Sequence, residues 1–185
     1  MELECLWAER EEYSPMEAKK YRLTDVFWYG EYEAQALAWS PRLDMYELVK
    51  ANGGTLHHID FAAFRRHKDI FERSIFVRGE EDFDIILPAH SEFGEDRLTI
   101  AHELGHYVLH ADRTGQRKSF ASRKGDAPVE KEADCFALGF LMPSEEFRKA
   151  CEKYKTVFDL HLFFEVPESA VRARLRSLNM DLTLY

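Results

Sequence analysis

The first part of the chain repeats its hydrophobic residues with a helical period. Apolar side chains recur at helical spacing over residues 24–39 and again over 43–51, which predicts two helices. The first should end before the Ser-Pro pair at 40–41, because proline cannot continue a helix. The second should end before the Asn-Gly-Gly sequence at 52–54, which is typical of helix ends. Two helices are therefore expected ahead of the first strand.

Short runs rich in β-branched and aromatic residues follow at 55–61, 74–78 and 83–87. Their length and composition predict strands. The polar residues 79–82 between the last two runs are suited to a hairpin turn. Together with the helices, these segments predict an α+β fold built on a small, mainly antiparallel sheet.

The helical period returns in the second half of the chain. Helices are predicted over 98–110, 129–141, 144–154 and 156–179, the last of them interrupted by a turn at 164–167. The chain is therefore expected to end in a pair of helices, which follows the three helices at 98–110, 129–141 and 144–154.

The polar stretch 112–128 separates two of these helices. It carries several Lys and Arg residues and little apolar material, so we expect a mobile surface loop. Two interpretations remain open. The stretch is either a solvated loop without a further role or a basic lip that helps to hold an acidic substrate.

Composition restricts the class of protein. At 185 residues the chain is long enough for one hydrophobic core and short for two independent domains. No apolar run approaches the roughly 18 residues of a membrane span, and residues 1–10 are acidic where a secretory signal would be basic. We expect a cytoplasmic protein in which Cys5, Cys135 and Cys151 are reduced thiols. The net charge of −9 argues against nucleic acid as the principal partner, because a phosphate backbone is bound through clustered Lys and Arg.

The strongest chemical signal is the sequence His-Glu-Leu-Gly-His at 102–106. On a helix, His102 and His106 lie one turn apart on the same face, where two imidazoles can bind one metal ion. A catalytic zinc keeps three protein ligands and an open position for water. Glu103 would lie beside that position as the general base of a zinc hydrolase.

A catalytic zinc site needs a third ligand. A metzincin would have Gly three residues after His106 and His three residues further on, but those positions are Leu109 and Asp112. His110 lies too far along a straight helix to share an ion with His102. We interpret it as a helix-end histidine bonded to a carbonyl or a carboxylate.

The next predicted helix offers better ligands. Glu130 and Asp134 are one turn apart, so their carboxylates face the same way. One can bind zinc while the other accepts the free N–H of a ligating histidine. We interpret Glu132 as an acidic residue that complements the helix dipole, and we expect Cys135 to pack inward. H-E-x-x-H followed by E-x-x-x-D is the pattern of the thermolysin-like zincins, in which that Glu is the third ligand.

These two blocks resemble the ImmA/IrrE family of metallopeptidases. The resemblance rests on RLTIAHELGHYVLH at 97–110, EKEADCFA at 130–137 and LMP at 141–143, and it weakens outward over 42–178. One departure is the Gly-Phe pair at 139–140, where the family has a smaller, Ala-rich pair.

The resemblance implies a zincin-like peptidase fold, Zn²⁺ as the cofactor, cytoplasmic residence and cleavage of a protein. The characteristic substrate is a helix-turn-helix repressor of mobile-element or stress-response genes. Zinc would be bound by His102, His106 and Glu130, and Asp134, which stands where the family commonly has Asn, would orient a histidine. Glu103 would pass a proton from water to the leaving amine.

A second class of function remains open, a zinc-stabilised regulatory module that binds a repressor or another partner without cutting it. A structural zinc normally has four protein ligands and needs no general base, so Glu103 favours the enzyme. Tyr107, His110 and His161 are the candidates for the group that stabilises the oxyanion. An extended substrate could pair with an exposed edge of the strand at 83–87.

The chain is interpreted as one domain with appendages. These are an N-terminal appendage at 1–20, the metallopeptidase domain at 21–155 and a helix-turn-helix-like extension at 156–185 packed on it. No contact with membrane is expected. The extension is expected to dock a protein substrate and not DNA, because a basic exposed helix face is usually only solvated.

Overall fold

The structure of the chain, a computed structural model, describes residues 13–17, 19–58, 73–87, 91–112, 114, 116–122 and 127–180. In chain order its elements are β1 (Ser14–Pro15), α1 (Leu23–Ala36), α2 (Met45–Ala51), β2 (Gly54–His58), β3 (Arg73–Gly79), β4 (Asp82–Leu87), α3 (Glu95–Leu109), β5 (Ser119–Ser122), α4 (Ala127–Leu141), α5 (Ser144–Lys153), α6 (Val157–Phe164) and α7 (Glu168–Ser177). The expected α+β class is confirmed. Cys5 and the part of the predicted strand 55–61 that follows His58 lie outside the described residues.

The five strands form one mixed sheet in the order β1-β5-β3-β4-β2. The central strands pair antiparallel, β5 with β3 and β3 with β4. The outer pairs are parallel, β1 with β5 and β2 with β4. The predicted antiparallel pairing is therefore found at the centre of the sheet, whereas the pairing at its two edges is parallel. The strand predicted at 83–87 has neighbours on both sides, so its backbone cannot pair with an extended substrate.

The stretch 112–128 contains β5, contrary to the expectation of a surface loop. Ser119 and Ala121 are buried, and β5 pairs with β1 on one side and β3 on the other. Ser14 N donates to Lys118 O at 3.0 Å, and Met16 N donates to Phe120 O at 2.8 Å. The loop prediction was wrong because a short strand between two neighbours gains its hydrogen bonds and burial from them, and needs few apolar residues of its own.

One face of the sheet packs against the motif helix. Alternate residues of β3 and β4 are fully buried in the main core: Ile75, Val77, Phe83, Ile85 and Leu87. These alternate residues share one face of the sheet, and Phe76 and Ile86 on the opposite face are buried as well. α3 contacts these strands, α4 packs against α3, and α1 packs against α4. The helix that carries the H-E-x-x-H sequence is thus held between the sheet and a second helix.

Two glycines allow α1 and α4 to cross at backbone contact. A Cβ on Gly30 would lie 2.4 Å from Phe136 O, and a Cβ on Gly139 would lie 2.3 Å from Phe27 O. Neither distance leaves room for a side chain. The glycine at 139, which departs from the family's Ala-rich pair, is explained by the backbone of α1 passing over it.

The C-terminal helices share this core. The buried side chains of α6, α7 and the turn between them include Leu160, Phe164, Val166, Val171 and Leu175. Arg174 is 1% exposed, and its guanidinium donates to Met142 O at 2.8 Å and to Glu31 of α1. Within the described residues, no helix has the length and hydrophobicity needed to cross a lipid bilayer.

Candidate metal centre

α3 positions two histidines at one point. His102 and His106 are one turn apart, and their Nε2 atoms are 3.0 Å from each other. The side chain of His106 is fully buried, whereas that of His102 is 18% exposed. Glu95 and Asp96 lie in the first turn of α3, where negative charge stabilises a helix. The helix therefore presents one pair of imidazole nitrogens at the border between core and solvent.

α4 brings a carboxylate to the same point. Glu130 lies in its first turn, with Oε2 3.3 Å from His102 Nε2 and Oε1 3.5 Å from His106 Nε2. Gly105 allows the two helices to approach this closely, because a Cβ there would lie 3.2 Å from both Cα and O of Ala133. The glycine inside the motif thus lets α4 pack closely on α3 beside the two histidines.

The three residues stabilise positive charge. Burial opposes the charged form of His102, but hydrogen bonds to Asp134 and Glu130 and the charge of Glu103 outweigh it and raise the pKa of His102 to about 10. Burial likewise opposes ionisation of Glu130, but its contacts with His102 and His106 hold the pKa of Glu130 at about 2. The centre is therefore electrostatically suited to a cation.

The donor set fits a metal ion. One ligand atom from each of His102, His106 and Glu130 lies within 4.8 Å of the others, and no fourth His, Cys, Asp or Glu joins this group among the described residues. Among the residues that the structure describes, Glu130 Oε1 is buried and has no hydrogen-bond partner, and a cation would satisfy it. Two imidazoles and a carboxylate are a ligand set of catalytic zinc sites. Cys135 packs into the core instead, and burial raises the pKa of its thiol to about 11.

Two further carboxylates lie beside this group. Glu103 is 2% exposed, and its Oε2 accepts a hydrogen bond from Ser74 Oγ at 2.8 Å. Asp134 Oδ1 lies 2.8 Å from His102 Nδ1, and the side chain of Asp134 is 66% exposed. The sequence contains no signal for Ser74, because nothing local indicates which strand residue will lie over the motif helix.

The match to a known domain includes all the residues of the candidate metal centre. The profile of the IrrE N-terminal-like domain, peptidase M78, matches residues 53–176. The chain belongs to the peptidase M78 family. The resemblance to the ImmA/IrrE family is thereby confirmed, and membership supports a metallopeptidase-type hydrolase in general. No match was found among curated proteins.

A solved structure shares the fold of this M78 chain. A Mycobacterium tuberculosis transcriptional regulator is similar with a TM-score of 0.55 and 19% sequence identity, over 92% of this chain and 50% of the regulator. The chain therefore spans about half the length of that protein. At this identity the similarity is one of fold.

On the core side of His106, the M78 domain contains a buried pair, His110 and Glu132, which the sequence predicted only in part. His110 Nε2 lies 2.8 Å from Glu132 Oε2, and His110 Nδ1 lies 3.2 Å from His106 Nδ1. The contact of His110 with a carboxylate is confirmed. The interpretation of Glu132 as a dipole residue is wrong, because Glu132 is 2% exposed and bonded to His110. Burial lowers the pKa of His110, and the neighbouring His106 adds to this against the opposing bond to Glu132.

The three oxyanion candidates lie elsewhere or face away. The hydroxyl of Tyr107 accepts the N–H of Glu81 in the turn after β3 at 3.2 Å. His161 Nδ1 bonds to a carbonyl in the turn after α6 at 2.7 Å. His110 contacts His106 on the ring nitrogen opposite Nε2. These positions do not favour any of the three as the group that stabilises an oxyanion.

Proposed function

We propose that the chain is a zinc-dependent endopeptidase that cleaves a specific protein. The observation that carries this proposal is the convergence of His102, His106 and Glu130 from two helices, with the buried carboxylate of Glu103 adjacent on α3. These three residues would bind zinc. When bound, zinc supplies a Lewis acid that polarises the scissile carbonyl and lowers the pKa of water.

In this proposal Glu103 moves the proton. Its carboxylate accepts a proton from the attacking water and delivers it to the nitrogen of the leaving amine. The hydrogen bond from Ser74 Oγ to Oε2 orients the carboxylate for both transfers. Asp134 accepts a hydrogen bond from His102 Nδ1, which leaves Nε2 of that ring as the ligand atom.

We infer that the substrate is a helix-turn-helix transcriptional repressor of mobile-element or stress-response genes. Membership of the M78 family and the shared fold with a transcriptional regulator support this class of partner. The net charge of −9 favours a protein partner over DNA. The basic residues of the 112–128 stretch remain a proposed lip for an acidic substrate.

The test compares two isosteric changes. The assay uses three zinc-loaded proteins: wild type, Glu103→Gln and Glu152→Gln. Each is incubated with helix-turn-helix regulators encoded by genes next to the gene of this protein, and the products are identified by mass. Glu152 is exposed on α5 and serves as the control. We expect wild type and Glu152→Gln to cut one regulator at one bond. Glu103→Gln should keep one zinc and cut at least about 100-fold more slowly, because general-base catalysis contributes roughly 10²–10⁴-fold.

The outcomes separate the enzyme from the regulatory module. Cleavage at the wild-type rate by Glu103→Gln would refute the role of Glu103. A zinc-loaded wild type that binds a regulator tightly and leaves it intact would instead support the zinc-stabilised module.

A further inference from the structure

A chain of hydrogen bonds extends from His106 into the core. His106 Nδ1 is 3.2 Å from His110 Nδ1, and His110 Nε2 is 2.8 Å from Glu132 Oε2. The second oxygen of Glu132 accepts the backbone N–H of Tyr21 at 3.0 Å. The side chains of both histidines are fully buried and that of Glu132 is 3% exposed. These hydrogen bonds therefore join α3 and α4 to the segment before α1 through side chains that are buried as far as Glu132, while Tyr21 itself is exposed.

The direction of these bonds follows from the chemistry of the end group. A carboxylate only accepts hydrogen bonds, so His110 Nε2 donates to Glu132. A neutral imidazole has one donor and one acceptor, so His110 Nδ1 is the acceptor. His106 Nδ1 must then be the donor. The same ring consequently has no proton on Nε2, the atom that faces His102 and Glu130.

We propose that His110 and Glu132 are positioning residues that hold His106 in the tautomer and orientation required of a metal ligand. This inference rests on the metal site of the proposed function. It assigns to Glu132 a role at a distance from the metal, transmitted through two imidazole rings. The bond from Tyr21 N–H holds one oxygen of the Glu132 carboxylate and leaves the other to accept from His110.

Burial is the reason why His106 depends on its bond to His110 and on the bond from His110 to Glu132. His102 meets its carboxylate partner at the surface, where Asp134 is 66% exposed and water can replace it. The far side of His106 contains His110 and no exposed atom of that side chain, so an acceptor lost there is not replaced by bulk water. Without His110, the His106 ring loses the acceptor that holds its proton on Nδ1, and a proton on Nε2 would block the ligand atom.

The first test uses the unaltered full chain. In metal-free, ¹⁵N-labelled protein, long-range ¹H–¹⁵N correlation reports which nitrogen of each imidazole carries the proton. We expect His106 to be protonated at Nδ1 and His110 at Nε2. A proton on His106 Nε2 with none on Nδ1, or protons on both nitrogens of His110, would overturn the proposal. No substitution is involved, so the result does not depend on a variant folding.

The second test measures zinc affinity by competition with a chelator. His110→Phe keeps the ring and removes both nitrogens, and His161→Phe makes the same change on α6, where the histidine bonds a backbone carbonyl. We expect His110→Phe to weaken Zn²⁺ binding by about 10–100-fold, as is typical for loss of a partner of a ligating histidine. His161→Phe should change affinity less than about twofold. Equal zinc affinities for wild type and folded His110→Phe would refute the role of His110.

A conservative change separates positioning from packing. Glu132→Gln keeps the shape and a carbonyl that can accept from His110 Nε2, whereas Glu132→Leu keeps the volume and removes every acceptor. We expect Glu132→Gln to retain most of the zinc affinity and Glu132→Leu to lose as much as His110→Phe. The Co²⁺-loaded forms provide a second readout, since the visible spectrum of bound cobalt changes when a ligating ring moves. Identical affinities and spectra for the two Glu132 variants would leave Glu132 without a positioning role.

These readouts are independent of peptide cleavage. If no substrate is cut, the proposed function fails. The tautomer of His106 and the zinc affinities of the variants still test the role of His110 and Glu132. If His110→Phe binds zinc as wild type does, this inference fails while cleavage by wild type and its loss in Glu103→Gln still support the enzyme.

Discussion

His102 and His106 are the same residue type on the same face of one helix, yet their surroundings differ. The second nitrogen of His102 meets a carboxylate that is largely exposed, whereas that of His106 meets a buried histidine backed by a buried carboxylate. A hydrogen bond at the surface competes with water, and one in the core does not. Two histidines proposed to share one metal ion therefore depend very unequally on their partners.

The largest effect is expected where the two histidines share a partner. Glu130 contacts both Nε2 atoms, so Glu130→Gln removes the carboxylate of the proposed ligand set and affects both histidines at once. We expect zinc affinity to fall by more than the roughly 100-fold upper range for a residue outside the ligand set. Chelator competition measures it, with Glu152→Gln as the control. A loss below tenfold would exclude Glu130 as a ligand.

The next effect concerns stability on the buried side. Glu132→Ala leaves the buried N–H of His110 and the half-buried N–H of Tyr21 without their acceptor, and an unpaired buried donor costs roughly 1–3 kcal/mol. We expect the metal-free protein to lose at least about 2 kcal/mol of unfolding free energy in chemical denaturation. The matched change on the exposed side, Asp134→Ala, should cost less than about 1 kcal/mol. Equal losses would remove the distinction between the two sides.

A third carboxylate, that of Glu103, is the proposed general base. Glu103 is buried like Glu132 but is held by one hydroxyl, that of Ser74. Ser74→Ala should cost roughly 1.5–3 kcal/mol of stability, the range for a hydrogen bond to a charged group, and should slow cleavage while zinc affinity stays within about twofold of wild type. Denaturation, cleavage and chelator competition on one sample check this. Unchanged cleavage would show that Glu103 needs no support from β3.

The smallest effect is expected at the exposed partner of His102. Asp134→Asn keeps an oxygen that accepts from His102 Nδ1, and the family commonly has Asn there. We therefore expect zinc affinity to remain within tenfold of wild type, below the loss expected for His110→Phe. Chelator competition under the same conditions makes the comparison direct. A larger loss than that of His110→Phe would reverse the ranking of the two partners.

Much of the site was predictable because it depends on spacing within a helix. His102 and His106 share a face of α3, and Glu130 and Asp134 share a face of α4, wherever those helices lie. The structure brings the two pairs together, and the roles assigned to these residues remain predictions. The α+β class and the positions of most helices and strands followed from periodicity in the same way.

The errors have a common physical cause. The strand β5 was missed because its stability comes from β1 and β3 and not from its own residues. The parallel edges of the sheet, and neighbours on both sides of β4, depend on how the chain returns to the sheet. Glu132 was misread for the same reason, since its spacing from Glu130 does not indicate which neighbour it will meet.

Residue spacing was sufficient to predict which residues would meet as candidate metal ligands, because a helix converts sequence distance into spatial distance with a fixed rule. Spacing carries no such rule for contacts between elements. The orientation of α4 on α3, the burial of His110 against Glu132 and the bond from Ser74 to Glu103 all arise when separate segments pack together. What supports each ligand of the centre is consequently a property of the folded core.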